Sequence, residues 1–216
     1  RQGAKAISCW TSFHDPLCFR LMRFMKFYTS FLIGVVDKRD AGKLCPLAYL
    51  DAGHGEEVPD AYSTSAVRVL IVGPNGTRCA SRWLDRKQTS LALATGGAEA
   101  EAAQDAGKET IQVAKELCFL QRRWTVRGHL GDSTACISLV KRGHSKKLGY
   151  ISLSQRVKGG WMMRHVGGYD GGDGIGLPWL RDADGIRVCG TTYWKVLTDN
   201  NLADPGTKCV AGDLYL

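Results

Sequence analysis

The chain has 216 residues, of which 44% are hydrophobic and 23% are charged. These proportions are those of a soluble globular protein with a substantial core, and they exclude a low-complexity or predominantly disordered chain. The formal net charge of +8 favours acidic partners, among which nucleic acid is the commonest.

Eight cysteines are scattered along the chain, and none of them forms a CxxC pair, so zinc-ligand spacing is absent. Cys45, Cys118 and Cys136 stand in apolar runs, which predicts buried and reduced thiols. Reduced thiols indicate an intracellular, reducing compartment, and the sequence does not distinguish cytoplasm, nucleus and organelle.

The first predicted element is a helix over residues 16–32, because Asp15 and Pro16 fit an N-cap and a first helical position. Interspersed charges exclude a transmembrane segment here, and a helix docked on protein is favoured over one that lies on a membrane surface. The apolar face is too wide for a single contact, which predicts that part of it packs on the body of the protein and part meets a partner protein. Its members are Leu17, Leu21, Phe24, Met25, Tyr28 and Phe31.

Three strands are predicted next, over residues 44–52, 65–72 and 77–84, from their β-branched and apolar composition. Between the second and third, the run Gly73-Pro74-Asn75-Gly76 is a strong turn signal. These two strands are therefore expected to form an antiparallel hairpin.

A long helix rich in alanine, glutamate and lysine is predicted over residues 97–120. Glu99 is expected in its first turn, where the positive end of the helix dipole would favour a carboxylate that anchors a metal ion. A strand over 125–130 and a helix over 133–141 follow. Asp132 stands between them, either as an acid at the strand end or as the N-cap of the helix, and the two roles are compatible.

The last third of the chain is less regular. Residues 144–158 are basic and amphipathic, and a dense cluster of glycines at 167–174 predicts a flexible loop. The last strand is predicted over 189–197.

Four segments, in order along the chain, carry a resemblance to a known family. They are Leu50-Asp51-Ala52 with Ser63-Thr64-Ser65; Lys87-Gln88-Thr89-Ser90-Leu91-Ala92-Leu93 with Ala98-Glu99 and Ala106-Gly107-Lys108-Glu109; Gly131-Asp132-Ser133-Thr134-Ala135; and Asn201-Leu202-Ala203-Asp204-Pro205-Gly206-Thr207-Lys208. They resemble the runs CDAD…STSG, KKQ-x-x-VALS-x-x-EAE with AAKE, DNQSA and QLADIFTK of the ribonuclease H domain in copia-type retrotransposon polyproteins. The resemblance extends from Asp15 to Lys208.

The resemblance implies an α/β ribonuclease H-like fold, with a mixed five-stranded sheet and flanking helices. Residues 1–43 would form an N-terminal extension with a helix that in the family tethers the domain to the reverse transcriptase. Residues 44–216 would form the ribonuclease H-like domain, with a glycine-rich insertion at 159–188 before the last strand. The first and fourth strands would pair in parallel, which would put Asp51 and Asp132 at neighbouring strand ends.

The resemblance also assigns catalysis and metal binding to four acids, Asp51, Glu99, Asp132 and Asp204. In the family such acids hold two Mg²⁺ or Mn²⁺ ions. Asp51 would bridge both ions, Glu99 would hold one near the RNA 2′-hydroxyl, and Asp204 would complete the second ion site.

Alternatives remain for two of these acids. Glu101 competes with Glu99 in the same helical turn, and the register with Lys108-Glu109 favours Glu99. Asp173, in the glycine-rich loop, or Asp199 could take the place of Asp204.

Basic residues around the predicted fourth strand and second helix are candidates for phosphate contacts. An RNA–DNA hybrid would be recognised through its backbone and 2′-hydroxyls rather than its bases. The candidates are Arg122, Arg123, Arg127, Lys141, Arg142, Lys146, Lys147, Arg156 and Lys158.

The function implied by the resemblance is metal-dependent endonucleolytic cleavage of RNA in RNA–DNA hybrids. The polymerase YxDD motif and an integrase domain are absent, so the chain is expected to be a piece of a polyprotein or a stand-alone descendant. The alternative is a domesticated, non-catalytic subunit that acts as a scaffold or nucleic-acid-binding module in a larger ribonucleoprotein assembly. The presence of the four acids in family order favours the enzyme over the non-catalytic subunit.

Overall fold

The structure is a computed structural model, and it describes the following residues: 19, 34–54, 62–89, 92, 94–123, 125–143, 159–163, 165–166, 176–181, 187–189 and 192–203. The chain divides into two compact units, Arg1–Ile33 and Gly34–Leu216. The predicted tether helix at 16–32 lies outside the described residues apart from Phe19, so this helix and its protein partner stay predictions. The structure therefore concerns the second unit.

Seven strands are present in the described part of this unit: β1 (Cys45–Gly53), β2 (Thr64–Val72), β3 (Arg78–Lys87), β4 (Gly128–Gly131), β5 (Gly176–Arg181), β6 (Arg187–Cys189) and β7 (Thr192–Lys195). Five of them form one mixed sheet in the order β3-β2-β1-β4-β7. β1, β2 and β3 pair antiparallel, whereas β4 pairs in parallel with β1 and β7 in parallel with β4.

The hairpin between β2 and β3 is closed by the predicted turn, in which Gly76 adopts a positive φ of 97°. A buried carboxylate completes the turn, because Asp40 accepts hydrogen bonds from the backbone N–H groups of Asn75 and Thr77 at 2.8 and 3.1 Å. Burial raises the pKa of Asp40, but the hydrogen bonds from Thr77 and Asn75 outweigh burial and lower it to about 2. This end of the sheet is held by polar contacts.

Two helices, α1 (Thr95–Gln121) and α2 (Thr134–Arg142), share a hydrophobic cluster with one face of the sheet. α1 approaches closely because the residues it buries are mostly small, such as Ala102, Ala103 and Ala106. The opposite face of β1 contributes to a second cluster, so the central strand is apolar on both sides. This double burial explains why β1 reads as a continuous apolar run rather than an alternating one.

Ion pairs attach α1 to the edge strand β3. Arg86 binds the buried carboxylate of Asp105 through two hydrogen bonds of 2.7 and 2.8 Å. One helical turn or more further along, Arg82 contacts Glu109 and Glu116. The helix is therefore fixed along its length relative to the sheet.

The chain order is three antiparallel strands, a long helix, a fourth strand parallel to the first, a second helix and a fifth, parallel strand. This is the order of the ribonuclease H-like fold. The predicted fold class is confirmed.

Several strand boundaries differ from the prediction, and β3 ends at Lys87 rather than 84. β4 begins at Gly128 rather than 125, because the Thr125 hydroxyl donates to the Leu44 carbonyl at 2.8 Å and the strand ladder starts later. β7 covers Thr192–Lys195 rather than 189–197. Cys189 belongs instead to β6, which pairs with β5 in a separate two-stranded sheet.

Cys45, Cys79, Cys118 and Cys136 are free thiols. Cys45 and Cys136 are buried as predicted, whereas Cys118 is only half-buried. None of the described helices is both long enough and apolar enough to cross a membrane.

Candidate metal centre

Three acids from separate elements meet at one end of the sheet. Asp51 lies near the end of β1, and Asp132 directly follows β4. The parallel register pairs Tyr49 with Leu130, and two residues further along it brings Asp51 opposite Asp132. Glu99 approaches from α1, and carboxylate oxygens of the three residues lie within 4.8 Å of one another.

The three carboxylates repel one another in a poorly solvated place. Asp51 is 5% and Glu99 3% exposed. Burial, followed by the negative charges of Asp51 and Asp132, raises the pKa of Glu99 to about 9, although an N–H from Ala52 opposes the shift. Glu99 is therefore protonated at neutral pH when no cation is present.

This group of acids fits a hard divalent cation. Carboxylate oxygens are the ligands that Mg²⁺ and Mn²⁺ prefer. Glu99 Oε2 is buried and has no hydrogen-bond partner in the described part of the chain, so its lone pairs are available for a ligand. A cation held by Asp51, Glu99 and Asp132 would also relieve their mutual repulsion.

Glu99 does not lie in the first turn of α1. The helix begins at Thr95, which puts Glu99 in the second turn, and the expectation that the helix dipole favours its carboxylate is wrong. Glu101 is excluded from the described group of acids. Its carboxylate instead accepts the backbone N–H of Thr89 at 3.3 Å.

Asp132 is not the N-cap of α2, because Ser133 has that position and accepts the backbone N–H of Cys136. The Asp132 carboxylate is left to face the other acids. Its Oδ2 accepts a hydrogen bond from the Thr198 hydroxyl at 3.0 Å. This contact connects the segment after β7 to the acidic group.

The fourth acid is beyond what the structure describes, since Asp204 and its alternative Asp173 both lie outside the described residues. Asp199 is exposed in the 3-10 turn Thr198–Asn200 and is not part of the acidic group. The described chain ends at Ala203, which is fully buried in the second cluster. Asn201 holds this segment to β1 by donating to the Leu50 carbonyl at 2.9 Å.

A buried layer behind the acids was not foreseen from the sequence. Tyr193 of β7 is fully buried beside Cys136, and burial raises the pKa of both groups. A Cβ added to Gly131 would overlap the Tyr193 hydroxyl. The glycine next to Asp132 was the available signal, but its meaning depends on the pairing of β4 with β7.

Two of the described basic candidates lie far from the acids. Arg122 and Arg123 are exposed beyond the last turn of α1, and 23 residues at about 1.5 Å each place them roughly 35 Å along the helix from Glu99. Arg123 donates to the Gly42 carbonyl at 3.0 Å. Lys141 and Arg142 are exposed in the last turn of α2.

Arg127 fits the expectation of a phosphate contact poorly. It is half-buried, burial lowers its pKa to about 10, and its Nη1 finds no hydrogen-bond partner among the residues that the structure describes. The remaining basic candidates, Lys146, Lys147, Arg156 and Lys158, lie outside the described residues.

Comparisons with known proteins give two solved structures. The RNase H1 isolated from compost by a metagenomic approach is 12% identical, with 75% of this chain and 91% of that chain covered and a TM-score of 0.44. The RNase H1 of the halophilic archaeon Halobacterium salinarum NRC-1 is also 12% identical, with 75% and 92% covered and a TM-score of 0.39. Neither a protein-family model nor a curated protein matches the sequence. The fold assignment rests on the strand order and not on these weak likenesses.

Proposed function

We propose that this protein is a metal-dependent endonuclease that cleaves the RNA strand of RNA–DNA hybrids. The observation that carries the proposal is the meeting of Asp51, Glu99 and Asp132 within 4.8 Å, at neighbouring ends of parallel strands in a ribonuclease H-like fold. A bound cation would offset the mutual repulsion of these acids.

The residues have separate roles in this proposal. Divalent ions, when bound, stabilise the attacking and leaving oxygens of phosphodiester hydrolysis. Asp51 and Asp132 supply negative charge from the two rigid strand ends, and the Thr198 hydroxyl orients Asp132. Glu99 gives up its proton when it becomes a ligand. Asp204 would be the fourth acid, which is supported by the burial of its neighbour Ala203 and the attachment of Asn201 to β1.

We further infer that the domain descends from a retroelement polyprotein and works in a reducing compartment. Support for the descent comes from the four sequence segments in family order. Support for the compartment comes from the free thiols of Cys45, Cys79, Cys118 and Cys136.

A labelled RNA–DNA hybrid tests the activity. With Mg²⁺ or Mn²⁺ we expect cleavage of the RNA strand, and with EDTA we expect none. Asp51→Asn keeps the side-chain shape but removes the charge that holds the ions, so cleavage should fall at least about 100-fold while hybrid binding survives. The matched control is Asp85→Asn, which changes an acid two strands away on the same sheet that pairs with Arg68 and is not one of the three acids, and it should leave cleavage unchanged. Wild-type protein that shows no metal-dependent cleavage would refute the proposal.

A non-catalytic scaffold is the second candidate function, and one observation favours it. Phe119 and Leu120 are adjacent in the last turn of α1 and are 83% and 74% exposed. Adjacent exposed apolar side chains of this size are typical of contact sites for other molecules. Wild-type protein that binds the hybrid without cleaving it would support the scaffold.

A further inference from the structure

Gln88 is a buried residue that connects the sheet to the start of α1. It is 2% exposed, and its Nε2 donates to the Ser65 hydroxyl at 3.0 Å and to the Ala98 carbonyl at 2.8 Å. Its backbone N–H donates to the Ser63 carbonyl at 2.8 Å. One side chain thus joins β2 to the helix.

Both groups that Gln88 contacts lie next to Glu99. Ala98 is the residue that precedes Glu99 in α1. Ser65 pairs with Ala52 in the β1–β2 register, and the N–H of Ala52 is the backbone donor to the Glu99 carboxylate. Gln88 therefore fixes the distance between the backbone that carries Glu99 and the strand that carries Asp51.

A second glutamine makes the corresponding connection at the other end of the same helix. Gln121 accepts the Leu44 N–H through Oε1 at 2.7 Å and donates to the Leu44 carbonyl through Nε2 at 2.9 Å. Both polar atoms of Gln121 are used, whereas Gln88 Oε1 is buried without a hydrogen-bond partner in the described part of the chain. Because a buried unpaired oxygen is destabilising, stability alone is a poor reason for a glutamine at position 88.

We propose that Gln88 is a positioning residue, which holds Glu99 where its carboxylate can share a cation with Asp51 and Asp132. The inference rests on the proposed metal-dependent function. A residue that orients a metal ligand contributes about 10- to 100-fold to metal affinity, although it does not touch the ion. Gln121 is too far along the helix to have this effect.

The two glutamines allow a matched comparison. Gln88→Met and Gln121→Met each remove an amide from one end of α1 while filling its space with a flexible apolar side chain. Binding of Mn²⁺ is measured by the electron paramagnetic resonance signal of the free ion, and thermal unfolding is measured without metal. We expect both variants to lose thermal stability, and only Gln88→Met to bind Mn²⁺ about 10-fold or more weakly. Cleavage by Gln88→Met should recover when Mn²⁺ is raised in proportion.

The outcomes separate this inference from the proposed function. If the wild-type protein binds no Mn²⁺, both the positioning role of Gln88 and the proposed function are refuted. Wild-type protein that binds Mn²⁺, with equal affinities in the two variants, overturns the role of Gln88 and leaves the proposed function standing. If Gln88→Met does not fold, Ser65→Ala removes one of the two acceptors of Nε2 and is compared with Gln121→Met on the same criterion.

Discussion

The most perturbed group of the acidic site is Glu99. Its pKa rises from 4.5 to about 9 because the carboxyl is buried and faces Asp51 and Asp132. In the unfolded chain the same carboxyl ionises at its ordinary pKa, so between these two values the folded protein binds one more proton. The metal-free protein therefore loses stability as the pH rises from 4.5 to about 9. The contribution of Glu99 to the free energy of unfolding is fully present only below pH 4.5.

Glu99→Gln is expected to stabilise the metal-free protein. The amide resembles the protonated carboxyl that burial enforces, so the variant avoids the cost of protonating the acid at neutral pH, which is up to about 3 kcal/mol. The gain in the free energy of unfolding should shrink towards pH 5. Urea unfolding at several pH values, with EDTA present, measures it.

Glu101→Gln is the control, because Glu101 lies in the same helix but outside the group of acids, and its Thr89 contact can be kept by the amide oxygen. No comparable gain is expected from it. A Glu99→Gln protein that is less stable than the wild type at neutral pH would contradict the argument.

The affinity for Mn²⁺ should rise with pH for the same reason. A cation that binds Glu99 must displace its proton, so apparent affinity increases up to about tenfold per pH unit below the pKa of about 9. Titrations with Mn²⁺ at pH 6, 7 and 8 check this slope. An affinity independent of pH in this range would mean that Glu99 is not a ligand.

Among the elements, β4 and β7 are packed tightly against each other near the site. A Cβ at Gly131 would overlap the Tyr193 hydroxyl and come within 3.1 Å of Leu50. Gly131→Ala should therefore lower the free energy of unfolding by about 1–3 kcal/mol through overpacking. Thermal or urea unfolding measures the loss.

Gly160→Ala is the matched control, because a Cβ there meets no described atom within 4 Å and Gly160 lies in a helical segment. It should be neutral or slightly stabilising, since alanine favours helix over glycine by about 1 kcal/mol. If Gly131→Ala and Gly160→Ala lower the free energy of unfolding equally, the contact between β4 and β7 is looser than described.

Elements with a strong local pattern could be predicted from the sequence. β1, β2 and α1 were predicted to within two residues, because apolar runs, a glycine turn and a long alanine-rich stretch determine them locally. The start of β4 and the extent of β7 were not predicted to this precision, because both depend on partners distant in sequence. Cys189 shows this, because only its pairing with Gly176 assigns it to the smaller sheet.

The resemblance assigned Asp51, Glu99 and Asp132 to one group, but it did not describe their environment. Spacing distinguished Glu99 from Glu101, but the turn of the helix in which Glu99 lies depends on how residues 88–94 enter the helix. Gln88 was part of a quoted motif, yet its contacts with Ser65 and Ala98 required the register of β2 and α1. Side-chain roles of this kind are set by tertiary packing.

At the scale of the whole molecule, two of the predicted basic residues lie far from the acids. The acids meet at the carboxyl ends of β1 and β4, whereas Arg122 and Arg123 lie at the opposite end of α1, roughly 35 Å away. A duplex bound at the acids would have to span at least about ten base pairs, at the roughly 3.4 Å per step of B-form DNA, to reach the two arginines. The two arginines can therefore assist only with long substrates.

This separation predicts a length-dependent effect of charge reversal. In the double variant Arg122→Glu with Arg123→Glu, a hybrid of about 20 base pairs should bind more weakly, and the slope of log affinity against log salt should fall by up to about 2. Cleavage of a hybrid of about 8 base pairs should be unchanged, because it cannot reach the far end of α1. The control, Arg122→Lys with Arg123→Lys, keeps both charges and should keep the slope. If the double variant cleaves the short hybrid as poorly as the long one, the reversed charges act on the acidic site itself. If binding of the long hybrid is unchanged, neither arginine contacts the duplex.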